Sequence, residues 1–241
     1  MGFIVLWWIL AICLSSKLKS RDFTVAERDQ YIRGLGFQRD FPIIDTFDFD
    51  KQKYALSGIH FEETILPEGS KITVNTESRS VTMKVPNLFD ACTISNFPIK
   101  KRSENQGYFE IKIEELGRRS LRYWWRKYTV SIGVSSKVYP KFRLCGWNNH
   151  SVGFHSDNGH IYHNDAVSSG KEYSTSYGKG DIIGCGIRGD EVFFTKNGKH
   201  LGVAQKGFSN IKNVFANVGC DGYCKVTYNF GDKPFKYQPE P

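Results

Sequence analysis

Three histidines and one aspartate of the types that ligate zinc fall within nine residues: His155, Asp157, His160 and His163. Imidazole nitrogens and carboxylate oxygens are common zinc ligands, but all of them must reach one ion. His160 and His163 are three residues apart, so on a β-strand they point to opposite faces of the sheet. The spacing therefore argues against a metal site, and no metal or other cofactor is expected.

The chain contains six cysteines: Cys13, Cys92, Cys145, Cys185, Cys220 and Cys224. Cys220 and Cys224 flank an Asp-Gly turn and could form a disulfide or half of a metal site. No second Cys or His pair follows at ligand spacing, which favours two structural thiols beside a hairpin turn. A domain of this size does not need a disulfide framework, so reduced thiols in a cytosolic compartment are predicted.

No constellation of residues predicts catalysis. The sequence has no nucleophile elbow, no phosphate-cradling glycine loop and no paired carboxylates. Gly184-Cys185-Gly186 lies inside an apolar strand pattern rather than before a helix, so it is not a dinucleotide fingerprint. These observations exclude the common enzyme signatures and favour a binding protein.

Antiparallel strands must position the remaining side chains. Residues 180–199 predict two apolar strands joined by Gly189-Asp190, and Asn197-Gly198 then reverses the chain again. Residues 109–114 alternate between apolar and polar types, and residues 151–155 and 160–163 predict a hairpin about Asp157-Asn158-Gly159. The repeated reversals leave no room for helices between strands.

Composition and charge agree with one β domain that carries a basic face. The 241 residues are 40% hydrophobic and include 23 glycines, which favours a single all-β core. The formal net charge is +8, yet the excess is local: between Leu116 and Ser156 there are eight Lys or Arg and no Asp or Glu. Only one basic segment is also aromatic, so nucleic acid is not expected as a partner.

An unbroken apolar run, Phe3 to Leu14, begins the chain and is expected to meet a membrane. As a helix it spans roughly 18 Å, which is short of the roughly 30 Å hydrocarbon core and would suit a cleaved signal peptide. Against cleavage, no Lys or Arg precedes the run, no clear cleavage site follows it, and Lys17, Lys19 and Arg21 lie beyond it. The positive-inside rule then places the rest of the chain in the cytosol, and a secreted protein is the alternative.

We therefore divide the chain into four parts. Residues 1–16 are a membrane anchor or signal peptide, and residues 17–53 are a linker with a short helix. Residues 54–236 form the β domain with its N-terminal extension, and residues 237–241 are a tail.

Several spaced motifs resemble the SPRY domain. They are Tyr108-Phe109-Glu110, residues 138–159 around Cys145-Gly146-Trp147, Gly180-Asp181-Ile182-Ile183-Gly184-Cys185-Gly186, Phe193-Phe194-Thr195-Lys196-Asn197-Gly198 and Asn229-Phe230-Gly231. They occur in the expected order between about Gly107 and Gly231. The resemblance implies a bent β-sandwich of two antiparallel sheets, which binds proteins through loops at one end and has no catalytic chemistry of its own.

The apolar run in front of this domain narrows the likeness further. The chain is similar to fungal single-pass membrane SPRY proteins, which act as adaptors at the endosome and vacuole and bring membrane cargo to a ubiquitin ligase. Those adaptors carry Pro-Pro-x-Tyr motifs for the ligase, and these 241 residues contain none. The resemblance thus implies a membrane-anchored recognition module facing the cytosol at an endosome, vacuole or endoplasmic reticulum.

We expect the protein partner to bind on the connections between strands, because loops carry most of the functional variation of such folds. The predicted surface joins the basic aromatic connection at residues 118–127, the segment at residues 139–143 and the loop at residues 166–177. Exposed aromatic and arginine side chains contribute most at interfaces. The residues predicted to contact the partner are Arg118, Arg119, Arg122, Tyr123, Trp124, Arg126, Tyr139, Phe142, Arg143, Tyr173 and Tyr177. The same basic connection is expected to contact anionic lipid.

Overall fold

The computed structural model describes residues 59–66, 70–86, 89–99, 106–117, 128–164, 169–208 and 213–238. The predicted N-terminal helix, the linker and the basic aromatic connection lie outside these residues. Within the described ranges, no helix has the length and apolar character needed to cross a membrane.

Fourteen strands make up the described part of the chain. They are β1 Thr64–Ile65, β2 Lys71–Asn75, β3 Ser80–Lys84, β4 Ala91–Ile94, β5 Gln106–Leu116, β6 Val130–Ser135, β7 Ser151–His155, β8 His160–His163, β9 Lys171–Glu172, β10 Ile182–Arg188, β11 Glu191–Lys196, β12 Lys199–Gln205, β13 Phe215–Cys220 and β14 Tyr223–Asn229.

The strands form two antiparallel sheets. The large sheet has the order β1-β2-β3-β14-β5-β10-β11-β12, and the small sheet has the order β4-β13-β6-β7-β8-β9. Every pairing between the described strands is antiparallel. The all-β class that the alternating patterns predict is confirmed.

Alternation of side chains on the central strands builds the core. Phe109, Ile111 and Ile113 of β5 point inward from the large sheet, and Ile132 and Phe154 point inward from β6 and β7 of the small sheet. All five are at most 1% exposed. Because successive strand residues alternate between faces, the side chains between these positions reach the outer faces, where binding surfaces form.

The predicted meander is confirmed. Strands β10, β11 and β12 follow one another through Gly189-Asp190 and Asn197-Gly198. Asn197 and Gly198 both have positive φ, 53° and 86°, as a two-residue hairpin turn requires. The hairpin of β7 and β8 is also confirmed.

The link between Cys220 and Cys224 differs from the prediction. It is not a hairpin turn, because β13 lies in the small sheet and β14 in the large sheet. Asp221 fixes the crossing: its Oδ1 accepts a hydrogen bond from the Thr129 amide at 2.6 Å, and its own amide donates to the Thr129 carbonyl at 3.2 Å. Both cysteines are buried free thiols, as are the other three within the described ranges. The expectation of reduced thiols is confirmed for these five.

Candidate partner-binding surface

The residues that follow the basic aromatic connection and the described parts of the other two predicted segments lie toward one end of the sandwich. Strand β6 begins there at Val130, directly after the basic aromatic connection. The Tyr177 hydroxyl lies 2.9 Å from the Val130 carbonyl oxygen. The Arg143 guanidinium lies 3.8 Å from the Asp90 carboxylate. Asp90 directly precedes Ala91, which pairs with Cys220, and Cys220 also pairs with Val130 at the start of β6. The fold therefore brings the bases of these segments together.

The loop at residues 136–150 crosses the outer face of the small sheet. Glycines at two strand positions leave space for it, since a Cβ on Gly133 would lie 2.8 Å from Cys145 Sγ and one on Gly153 only 1.9 Å from the Cys145 carbonyl oxygen. Gly146 has a φ of 97°, a conformation that glycine adopts without steric cost. The loop is thus packed onto the sheet instead of projecting into solvent.

The expectation that Tyr139 is an exposed contact residue is wrong. Its side chain is 2% exposed and packs with Cys92, Ile94 and Phe215. The Tyr139 hydroxyl donates to the Leu144 carbonyl at 2.5 Å and accepts from the Asn148 amide at 3.2 Å. Burial raises its pKa well above the usual value for tyrosine. Because the ring and hydroxyl both hold the loop in place, Tyr139 has no free face for a partner.

The side chains of Tyr177 and Tyr173 also stabilise the fold. Tyr177 is 5% exposed, and its hydroxyl reaches the carbonyl oxygens of Val130 and Phe154. Tyr173 is half-buried, and its hydroxyl donates to the Gly202 carbonyl of β12 at 2.5 Å. Tyr173 follows β9 of the small sheet, so this bond ties the edges of the two sheets together. The expectation of exposure is wrong for Tyr177, while Tyr173 keeps part of its ring in solvent.

Phe142 and Arg143 differ in how much of each side chain is exposed to solvent. Phe142 is half-buried and packs against the core from outside. Arg143 is 8% exposed, and its guanidinium lies 5.1 Å from the centre of the half-buried Trp147 ring. A cation over an aromatic ring at this distance is attracted to it. Arg143 therefore stabilises the position of Trp147 within the loop, and little of the Arg143 side chain is exposed.

Two lysines of the basic face are paired with one carboxylate. Lys137 Nζ lies 2.7 Å from Glu62 Oε1, and Lys141 Nζ lies 3.8 Å from Glu62 Oε2. Burial lowers the pKa of Lys141. The remaining predicted contacts, Arg118, Arg119, Arg122, Tyr123, Trp124 and Arg126, lie outside the described residues. Gly117 and Tyr128, which flank this connection, are adjacent, since a Cβ on Gly117 would lie 3.0 Å from the Tyr128 ring.

The histidines do not converge on a metal. Among the residues that the structure covers, no group of three or more His, Cys, Asp or Glu is placed to hold one. His155 is buried, and its Nε2 lies 2.8 Å from the Cys145 carbonyl oxygen, which can only accept, so Nε2 carries the proton. Burial lowers the pKa of His155 to about 4 and raises the pKa of Cys92 to about 11. Both side chains are therefore neutral at pH 7.

Sequence reasoning missed a cluster on the outer face of the large sheet. Tyr108 and Phe193 stack there with ring centres 6.0 Å apart and an angle of 12°. Glu110, 5% exposed, accepts from the Tyr108 hydroxyl and from the backbone amides of Lys236 and Tyr237, each at 2.9 Å. The signal that could have revealed it is the pair of strand glycines in Gly184-Cys185-Gly186, because glycine within a strand often marks close approach of another group.

Known proteins share this architecture. The family model of the SPRY domain matches residues 106–233. The chain is 39% identical over 223 residues to Protein ssh4 of Sclerotinia sclerotiorum, an alignment covering 88% of this chain and 39% of that protein. The chain thus spans about two fifths of the length of this relative.

Solved structures agree on the fold. A human SPRY domain superposes with a TM-score of 0.53 at 24% sequence identity, covering 69% of this chain and 100% of the other. The SPRY domain of human HERC1 superposes with a TM-score of 0.54 at 16% identity, covering 72% and 99%. SPRY domains are generally protein-interaction modules, and no catalytic family is indicated. Since the family model matches more than half of the residues, this chain belongs to the SPRY domain family.

Proposed function

We propose that this protein is a membrane-anchored recognition module. The apolar run at residues 3–14 holds it in an endomembrane, the SPRY domain faces the cytosol, and the domain selects membrane-associated proteins for sorting or ubiquitination. The observation that carries this proposal is the extent of the likeness to the fungal ssh4 protein. It covers 88% of the chain, well beyond residues 106–233 of the domain itself.

The proposed contact surface is the end of the sandwich at which β6 begins. Tyr123 and Trp124 remain the proposed anchors, and the half-buried Phe142 and Tyr173 are retained as proposed contacts. Tyr139 and Tyr177 are removed from this surface because they are buried. Aromatic side chains that become fully desolvated at the centre of an interface are the usual hot spots.

A membrane-partition experiment on the full chain tests the anchor. The wild-type chain is expected to remain with the membrane pellet after alkaline carbonate extraction. A variant with Leu6→Lys and Ile9→Lys is expected to move to the supernatant, since a Lys in a membrane-centred helix costs about 3 kcal/mol. The matched control, Ile72→Val in the folded domain, is expected to stay in the pellet.

The N-terminus of the mature protein separates this proposal from a secreted protein. An intact N-terminus at Met1 or Gly2 supports the anchor. A protein that begins near Ser16 or Lys17 has lost residues 3–14 and rules the anchor out.

Partner capture tests the surface. Tyr123→Ala with Trp124→Ala is expected to weaken capture of partners, identified by proximity labelling of the intact protein, by about 2 kcal/mol or more. The thermal midpoint is expected to stay near that of the wild type. Capture at full strength would place the contact elsewhere on the domain.

A further inference from the structure

A pocket lies on the outer face of the large sheet, away from the proposed loop surface. It has a volume of about 320 Å³ and lies between β5, β10, β11 and the segment that follows β14. Pockets for small ligands usually measure about 300–1,000 Å³, so this one suits one or two side chains. Its lining includes Tyr108, Arg188, Phe193, Phe235 and Tyr237.

Two glycines of β10 create the floor of this pocket. A Cβ on Gly184 would lie 1.9 Å from the Tyr108 hydroxyl oxygen, and one on Gly186 would lie 2.2 Å from the Phe193 ring. Because both positions lack a side chain, the two rings lie directly on the strand. They give the pocket an apolar, aromatic base.

The segment after β14 completes the walls. Phe235 meets the Tyr108 ring edge-on at 4.8 Å, and Tyr237 lies 5.6 Å from the same ring. Glu110 holds this segment through the backbone amides of Lys236 and Tyr237. The face thus already holds one stretch of the chain, by aromatic packing together with backbone hydrogen bonds.

The rim of the pocket carries a positive charge. Arg188 is exposed, and its guanidinium lies 6.0 Å from the centre of the Phe193 ring. Its cross-strand neighbour Glu191 is paired with Lys206 at 2.8 Å. Among the described residues, no carboxylate lies within 4.0 Å of the Arg188 side-chain nitrogens. An apolar base beside an arginine that has no carboxylate partner among the described residues is complementary to an apolar group that carries a neighbouring anion.

We propose that this pocket binds a short linear peptide of a partner protein in which an aromatic side chain lies next to Asp or Glu. The ring enters the pocket lined by Tyr108, Phe193 and Phe235. The carboxylate pairs with Arg188, whose planar fork suits bidentate recognition. A peptide is the expected form of the ligand, because residues 235–237 are held on the same face by aromatic packing and by backbone hydrogen bonds. This site does not depend on the loop surface or on membrane anchoring.

Fluorescence anisotropy on the full chain in detergent micelles tests the pocket. The probe is a fluorescein-labelled Gly-Asp-Phe-Asp-Gly peptide, compared with Gly-Asp-Ala-Asp-Gly and Gly-Lys-Phe-Lys-Gly. We expect the Asp-Phe-Asp peptide to bind at least tenfold more tightly than the other two. Equal binding of the alanine peptide would show that the aromatic pocket is not used, and no binding of any peptide would overturn the proposal.

Charge reversal locates the site. Arg188→Glu is expected to weaken binding of the Asp-Phe-Asp peptide at least tenfold and to strengthen binding of the Lys-Phe-Lys peptide. Lys71→Glu is the matched control, since Lys71 is an exposed cation on β2 of the same sheet and should leave Kd within twofold. If Arg188→Glu does not fold, Arg188→Gln replaces it and is expected to weaken the acidic peptide at least threefold. Unchanged binding in the folded Arg188 variant contradicts the proposed site.

Discussion

Individual polar groups hold the loops of this domain in place, and Tyr139 shows how. Its hydroxyl serves two groups of one loop, the Leu144 carbonyl and the Asn148 amide. A buried polar group that loses its partner keeps its desolvation cost. Tyr139, which the sequence predicts to be a surface anchor, is therefore a structural residue. Substituting it is expected to change the stability of the domain.

Tyr139→Phe is expected to lower the free energy of unfolding by about 1–2 kcal/mol. It leaves the Asn148 amide without the hydroxyl acceptor, and the Leu144 carbonyl keeps only its 3.3 Å bond from the Trp147 amide. Urea denaturation measures the change. The control is Tyr223→Phe, whose hydroxyl bonds Glu115 at 2.8 Å in a solvent-exposed position and whose loss should cost less than about 0.5 kcal/mol. Equal losses for the two variants would contradict the buried role of Tyr139.

His155 makes the stability of the domain depend on pH. Burial lowers its folded-state pKa from 6.5 to about 4, so the unfolded chain binds the proton more readily. Stability is therefore complete above about pH 6.5 and falls as the pH drops toward 4, by on the order of 3 kcal/mol. We expect His155→Gln to reduce this loss, as measured by urea midpoints between pH 7 and pH 4.

Two other histidines, His163 and His200, also have pKa values lowered by burial and contribute in the same direction. The comparison is therefore between the pH slopes of the wild type and of His155→Gln. Parallel slopes would mean that the neutral form of His155 is not what the fold requires.

At the scale of elements, strand glycines decide what can lie on each sheet. Gly133 and Gly153 admit the loop onto the small sheet, while Gly184 and Gly186 admit two rings onto the large sheet. All four lie within strands, where glycine otherwise weakens the structure. Their role is steric. A methyl group at Gly133 or Gly153 would meet backbone atoms, and one at Gly184 or Gly186 would displace the ring that lies on the strand.

Gly184→Ala is expected to destabilise the domain by about 1–3 kcal/mol, the usual range for overpacking. The added Cβ would meet the Tyr108 hydroxyl and Thr195 Oγ1, which breaks the hydrogen bonds that Tyr108 makes to Glu110 and Thr195. Thermal unfolding measures the effect. Gly178→Ala is the matched control, since nothing lies within 4 Å of its Cβ position, and it should leave the midpoint nearly unchanged.

Much of the fold could be predicted from local patterns. Alternation identified the core side of β5, and Asn197-Gly198 identified the turn between β11 and β12, because both signals act over a few residues. The burial of Tyr139 and Tyr177 could not be predicted, since it depends on loops that pack against distant strands. The assignment of β13 and β14 to different sheets was missed for the same reason, because the bonds of Asp221 to Thr129 span 92 residues.

For the whole molecule, the crossing at Asp221-Gly222 joins the two sheets into one unit. Strand β13 lies between β4 and β6, and β14 lies between β3 and β5, so each sheet is built around one strand of this pair. Neither sheet can lose its strand without disturbing the other. The proposed loop surface and the large-sheet pocket therefore belong to the same two-sheet unit, and the two proposals place their partners on different parts of it.

The orientation of the domain relative to the membrane is testable at Asn149-His150-Ser151. This sequence accepts a glycan only if the domain enters the secretory lumen. The proposed cytosolic orientation predicts that the full chain, expressed in a eukaryotic cell, shows no glycosidase-sensitive mass shift. The Asn149→Gln variant, like the wild type, should then show no change in mass on glycosidase treatment.

A positive control shows whether the site can be modified at all. Residues 17–241 directed to the lumen by a cleavable signal peptide should gain one glycan, and Asn149→Gln should lose it. Asn149 is half-exposed, whereas Ser151 is fully buried and its hydroxyl bonds the Asn148 carbonyl, so transfer must precede folding. A glycan on the native chain that Asn149→Gln removes would place the domain in the lumen and contradict the cytosolic role.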